Sequence, residues 1–374
     1  MKSFSVIVQL TLSCNMRCKH CYEIDQNYPR NTMKIKTLEN IICKLQNEFD
    51  SVHYLWFGGE PLLAGLSVFQ RIVDFQKEYS KETSKISNAI QTNGLLLDDK
   101  YFSFFKKHQF NISVSFDGLA NDILRENTDL VKKRIALFNN EEYNLGVLST
   151  IHKMNYRDQI NIYESFKQQK SRFKFNRIFS ANDSSKEWLI EDDSYLDYMK
   201  IFFDYWMHDL SGVSFSPFTD YLMLLLNYPS RSCENAGCLY KWLSINPSGD
   251  IYPCTRIHDK KYSMGNINTV SYISEIYDSK TYEDMVKKAI IRRKLCIENC
   301  EVYYYCNGGC NAMAINEASL ESNDTQYCRF NKKFIPYVKE YLSRLDNLGN
   351  INPIVLDLIK NRPHLKRDNV HESN

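Results

Sequence analysis

The feature that most limits how this chain can fold is a repeating alternation of short apolar runs with longer amphipathic ones over about the first 180 residues. The strand candidates are 4–11, 53–57, 88–92, 111–116, 146–151 and 173–179. Between them lie stretches with helical periodicity. The clearest is 34–49, where Leu38, Ile41, Ile42, Leu45 and Phe49 fall at helical spacing on one face. A crossover long enough to hold a helix returns the chain in its original direction, so such repeats place their strands in parallel. An α/β fold is expected, with ligand-facing groups at the carboxyl ends of the strands.

Cys14, Cys18 and Cys21 follow the first strand directly, in LTLSCNMRCKHCYE. Three thiolates at this spacing can hold three corners of a [4Fe–4S] cube, which would leave the fourth iron open to a small molecule. A structural zinc prefers four ligands, usually in C-x2-C pairs, and suits the spacing poorly. An iron with an open position is a device of enzymes. The second strand candidate runs into Gly58, Gly59, Glu60 and Pro61. Two glycines permit close backbone approach and a carboxylate accepts from an ammonium group, although GGEP alone also suits a plain turn. Gln91, Thr92 and Asn93 close the third candidate, and Ser115 and Asp117 close the fourth.

Composition changes further on. Residues 185–232 read as a helical, aromatic bridge between a first unit, 1–184, and a cysteine-rich one, 233–335. The latter holds eight cysteines, Cys233, Cys238, Cys254, Cys296, Cys300, Cys306, Cys310 and Cys328. Eight thiolates make two four-ligand sites, for two zincs or two iron–sulfur clusters, and the residues alone leave that choice open. Within it, LSINPSGDIYPC reads as a hairpin, with Pro247 and Gly249 suited to the second and fourth places of a tight turn. Residues 336–374 read as a C-terminal helix and a polar tail, the helical pattern covering 329–360. Cys43 lies within the 34–49 helix and is expected to be a half-buried structural thiol.

With 47 basic and 45 acidic residues, nothing argues for nucleic acid or a membrane surface as partner. No apolar run approaches a membrane span, and the N-terminal stretch lacks the pattern of a secretory signal. Twelve cysteines in that context indicate metal ligation in a reducing, cytoplasmic compartment.

The C-x3-C-x2-C spacing, with His20 before the third cysteine, resembles the signature of the radical S-adenosylmethionine (SAM) superfamily. The second cysteine group resembles the seven-cysteine SPASM extension of such proteins, with Cys233 as an eighth, although C-x3-C at Cys296 departs from the usual C-x2-C. The resemblance implies a partial (β/α)6, TIM-like barrel followed by a SPASM domain. SAM would bind the open iron and be cleaved to a 5′-deoxyadenosyl radical, with the cluster at Cys14, Cys18 and Cys21 as the catalytic centre. Gly58, Gly59 and Glu60 would hold its amino group, Gln91, Asn93, Ser115 and Asp117 its ribose and carboxylate, and Arg125 its carboxylate. Cys233, Cys238, Cys254 and Cys310 would hold one auxiliary cluster and Cys296, Cys300, Cys306 and Cys328 the other, making three [4Fe–4S] clusters in all.

SPASM proteins mostly modify ribosomally made peptides. Oxidative cross-linking is the expected reaction, because closing a C–C or thioether bond releases an electron that auxiliary clusters can accept. Epimerisation needs a hydrogen-donating thiol, and every cysteine but Cys43 is committed to iron. The alternative is anaerobic sulfatase maturation to formylglycine. In those enzymes an aspartate follows the cysteine of the GX4C element, whereas here Thr255 and Arg256 follow Cys254. A threonine does not serve as a base near neutral pH, which leaves Asp117 or a tyrosine of the 302–305 run. A zinc scaffold without enzymatic activity is the non-enzyme reading. Expected partners are a precursor peptide, an electron donor such as flavodoxin or ferredoxin, and a separate leader-recognition protein if the barrel and extension do not read the leader themselves.

Overall fold

The computed structural model describes residues 2–23, 31–140, 143, 145–169, 171–229, 233–235, 239, 242–257, 259–345 and 350–362. Strands β1 (Ser3–Thr11), β2 (Ser51–Gly58), β3 (Lys85–Thr92), β4 (Asn111–Ser115), β5 (Gly146–Ile151) and β6 (Arg172–Arg177) pair in chain order, every pair parallel. Helices α1 (Ile35–Glu48), α2 (Leu66–Tyr79), α3 (Asp99–Lys107), α4 (Asn121–Leu124), α5 (Thr128–Asn140) and α6 (Gln159–Gln168) fill the crossovers. All six strand candidates therefore form. The last stops at Arg177 rather than at 179, and Ile178 and Phe179 leave the sheet to line a cleft.

The sheet has two further strands. β7 (Trp242–Ile245) pairs in parallel with the free edge of β1, and β8 (Ile251–Tyr252) returns antiparallel to β7. The strand order is thus β6-β5-β4-β3-β2-β1-β7-β8, an open α/β sheet that runs through the expected boundary at 232–233. The hairpin forms as its residues foretell. Asn246 O accepts from Gly249 N at 2.9 Å, and Gly249 takes φ +90°, where an L side chain is strained.

Amphipathic periodicity builds the core. The α1 stripe of Leu38, Ile41, Ile42 and Leu45 is fully or almost fully buried, and burying each such side chain contributes roughly 1.5–3 kcal/mol. Beyond the sixth strand come α7 (Asp183–Lys186), α8 (Asp192–Met207) and α9 (Phe218–Leu225), then α10 (Lys280–Asn299), α11 (Tyr303–Cys306), α12 (Asn311–Glu317), α13 (Gln326–Ser343) and α14 (Pro353–Lys360). Helix α13 packs on α8 through Phe334 and Phe203, whose rings meet edge to face at 5.9 Å. The helical run expected over 329–360 is thus two helices, α13 and α14; of the polar tail, residues 363–374 lie outside the described residues. Among the described residues no helix is long and apolar enough to cross a membrane.

Candidate active site

The end of β1 places the three N-terminal cysteines. Past Thr11 the chain runs closely over Gly58 and Gly59. Gly59 N donates to Thr11 O at 2.8 Å, and Glu60 N donates to Ser13 O at 2.9 Å. A Cβ on Gly58 would lie 2.2 Å from Thr11 O, and one on Gly59 would lie 2.5 Å from Ser13 O. The glycines do serve close backbone approach, and what approaches is the chain's own segment leading into the cysteine loop.

Cys14, Cys18 and Cys21 line one cleft of about 560 Å³ at the carboxyl ends of the strands. Cys14 Sγ accepts from Met16 N at 3.4 Å and from Asn93 Nδ2 at 3.8 Å. Cys18 Sγ lies 4.0 Å from a terminal nitrogen of Arg125. Burial raises the pKa of Cys14 and Cys18 and pushes Cys21 up to about 12, and a metal centre held by these sulfurs would displace their protons. Three thiols on one wall, with sulfur-directed donors and an open space before them, fit a three-ligand cluster.

The groups expected around SAM divide in two. His20, Gly58, Gly59, Gln91, Asn93, Ser115 and Arg125 line the cleft. Gln91 Nε2 donates to Ser115 Oγ at 2.9 Å, and His20 is held neutral, its pKa near 3, by burial and by the neighbouring Arg125 charge. Glu60 and Asp117 are fully buried behind that wall. Glu60 accepts from Leu62 N at 3.0 Å, Thr92 Oγ1 at 2.8 Å and Asn93 N at 2.8 Å. Burial lifts its carboxyl to about 7 against those bonds. Asp117 accepts from Arg125 Nε at 2.8 Å and Thr150 N at 2.7 Å, while another Arg125 nitrogen donates to Thr150 Oγ1 at 3.1 Å. Asp117 therefore aims Arg125 and does not itself face the cleft. Thr150, one residue short of the end of β5, completes this brace and carries no motif that would have revealed it.

The opposite wall comes from the cysteine-rich region. Cys233, Cys254 and Cys310 line the same cleft as the N-terminal cysteines, and Cys238 lies outside the described residues. Arg256 stands beside Cys254 and Cys310, its guanidinium carbon 4.5 Å above the Phe179 ring, and their proximity raises its pKa further. Thr255 is buried at the same wall. Cys296, Cys300, Cys306 and Cys328 gather instead around a separate small pocket. Asn331 Nδ2 donates to Cys306 Sγ at 3.5 Å and Thr325 Oγ1 to Cys328 Sγ at 3.3 Å there. Burial pushes Cys306 up to about 12. Tyr303 lines this second pocket, so the tyrosine run stands away from the main cleft. Among the described residues no three His, Cys, Asp or Glu side chains converge on a single-ion site. Cys43, half-buried in α1, takes part in neither group.

Comparison with known proteins shows which families the chain resembles. Residues 8–163 match the radical SAM superfamily, and residues 233–311 match SPASM, an iron-sulfur cluster-binding domain. The cysteine-type anaerobic sulfatase-maturating enzyme of Clostridium perfringens (strain 13 / Type A) is 26% identical over 360 residues, covering 90% of this chain and 95% of the relative. The serine-type enzyme of Klebsiella aerogenes is 23% identical over 354 residues, covering 90% and 86%. A solved structure of anSMEcpe with bound AdoMet superposes with a TM-score of 0.82 at 24% identity, covering 91% of this chain and 98% of that one. Streptococcus suis SuiB bound to precursor peptide SuiA follows at 0.66 and 20%, covering 87% and 76%. At such identities the structural likeness carries the fold.

Proposed function

From the premise that this chain is a radical SAM enzyme bearing a SPASM domain, of the family of peptide and protein maturases, we propose that it oxidatively cross-links a ribosomally made peptide within the cleft. The observation that carries this is the two-faced cleft: the N-terminal cysteines on one wall, Cys254, Cys310 and Arg256 on the other, and a buried threonine at 255 where the sulfatase-maturase pattern has its base. Three [4Fe–4S] clusters fit the three cysteine groups, the second of them completed by Cys238. When bound, SAM and its cluster supply a carbon radical that takes a hydrogen atom from an unactivated C–H bond.

The chain's own residues do the rest. Arg125, aimed by Asp117 and Thr150, offers a forked donor to a carboxylate. Gln91 and Ser115 present polar groups to a ribose, while Leu12, Phe57 and Leu148 line the cleft with apolar surface that excludes water. The peptide lies extended between the two walls, within reach of the second cysteine group. Forming the bond removes two hydrogens from the peptide, one as an atom and one as a proton with its electron released to the protein. An external carrier such as flavodoxin or ferredoxin closes the electron circuit, the barrel, the extension or a separate leader-binding protein reads the leader, and the compartment is the reducing cytoplasm.

A second reading, formylglycine formation on a sulfatase, is favoured by the relatives, which are sulfatase-maturating enzymes over nearly their whole length. Mass spectrometry of candidate substrates treated with reconstituted enzyme, SAM and dithionite decides between them. Loss of two hydrogens within one peptide supports cross-linking. Conversion of a sulfatase-derived cysteine to an aldehyde, with neighbouring small peptides unchanged, replaces it with the second reading.

A further inference from the structure

We propose that the outer face of α10, above the Cys296–Cys300–Cys306–Cys328 quartet, is the docking surface for a small acidic one-electron carrier protein. Large exposed hydrophobics are concentrated there. Of the 14 among the described residues, four lie on α10, Ile290 (43% exposed), Ile291 (46%), Leu295 (38%) and Ile297 (61%), and a fifth, Tyr304 (69%), lies on the following α11. Single exposed apolar residues need no explanation, but a group of them on one element marks an interaction site.

The helix separates its two faces cleanly. Tyr282, Met285, Ala289, Arg292 and Cys296 are buried at helical spacing on the inner face. The exposed isoleucines lie on the remaining circumference of the same turns, so a partner seated on them is about one helix diameter, roughly 10 Å, from a quartet ligand. Charge states which partner fits. Lys287, Lys288, Arg293 and Lys294 flank the apolar residues, and Lys332 lines the quartet's pocket. Against them stand Asp284, Glu298 and Glu301, with Lys287 paired to Glu283 at 2.6 Å. Lys332 included, five basic side chains face four acidic ones, and the balance is positive by one charge. Basic side chains interleaved with the apolar ones are complementary to an acidic protein that also offers apolar contacts, and the charges govern the rate of encounter.

The cysteine quartet directly beneath selects a redox carrier over an anionic membrane, for which a basic, apolar helix would otherwise also serve. At each encounter the reduced carrier loses one electron and the quartet's iron–sulfur centre gains it, with no bond made or broken. This rests on the reading that the quartet holds such a centre, and the experiment keeps the two apart.

The holoprotein and its K288E/K294E and I291S/I297S variants are mixed anaerobically with reduced flavodoxin, following cluster bleaching by stopped flow and binding by titration at low and raised salt. Reduction by flavodoxin is expected to slow about tenfold in either variant, with weaker binding and, for the charge variant, a flattened salt dependence. Bleaching by dithionite is expected to be unchanged. Equal flavodoxin rates in all three proteins overturn the proposal. So does binding to phosphatidylserine vesicles that the substitutions abolish while carrier kinetics stay the same. If dithionite bleaches no auxiliary cluster in the unsubstituted holoprotein, the cluster reading itself fails.

Discussion

The N-terminal cysteine triad and the distant quartet use the same side chain for opposite ends. The triad occupies one wall of an open cleft, its sulfurs touched by Asn93 and Arg125, and leaves the space in front of it free. The quartet surrounds a small pocket, braced by Asn331 and Thr325, with no room for a substrate. Ligand number sets the difference: a metal body with a vacant position does chemistry, and one whose positions are all taken stores or passes electrons.

On the proposed reading, Cys18→Ala removes one of the three thiols that would hold the N-terminal cluster. Deoxyadenosine formation is expected to fall by more than about a hundredfold, beyond the usual effect of disturbing a ligand's supporting partner. With dithionite as the reductant, Cys306→Ala is expected to abolish peptide product while SAM cleavage stays within about threefold, with one cluster's iron lost on metal analysis. Equal loss of cleavage in both variants would erase the distinction between the sites. Asp117→Asn unbraces Arg125 without touching the cleft. Breaking a buried ion pair costs about 3–5 kcal/mol in the worst case, and the specific sign is a rise of about tenfold in the KM for SAM with a smaller change in kcat, which Glu at 117 restores only in part.

The smallest effect is in pH. His152, buried at the end of β5 near Arg125, has its pKa lowered from 6.5 to about 4, chiefly by desolvation. The unfolded chain takes up this proton first as pH falls. The stability that the neutral ring contributes is therefore complete above 6.5 and drains away down to about 4, by up to about 3 kcal/mol. Thermal melts of the apoprotein should show that slope, and His152→Gln should lessen it, leaving the share that His20 contributes. A melt equally steep in the variant would assign the slope to other groups.

Much of this was readable from residues alone because it is written in short-range patterns. Six strands follow from apolar runs, α1 from a single stripe, and the cysteine groups from spacing. What escaped was long-range or inward-facing. The pairing of β7 with β1 joins segments more than two hundred positions apart, and nothing local marks it. Asp117 sits at a strand end where ligand contacts are expected, yet its side chain turns back to meet Arg125, eight residues on. Glu60 likewise spends its oxygens on neighbouring backbone and Thr92, because the glycine pair lets β1 cross above it. Arg256 was visible only as the neighbour of a missing aspartate, and its place between Cys254 and Phe179 is a property of the folded chain.

The seam between β7 and β1 has a mechanical meaning. A single strand delivers the catalytic loop from its tip and carries the auxiliary side along its flank, so the two walls are fastened to one rigid rail. Pairing of β1 with β7, rather than a tether, sets how far apart the two faces begin, and a gap so gauged would favour a slim, extended guest over a folded one.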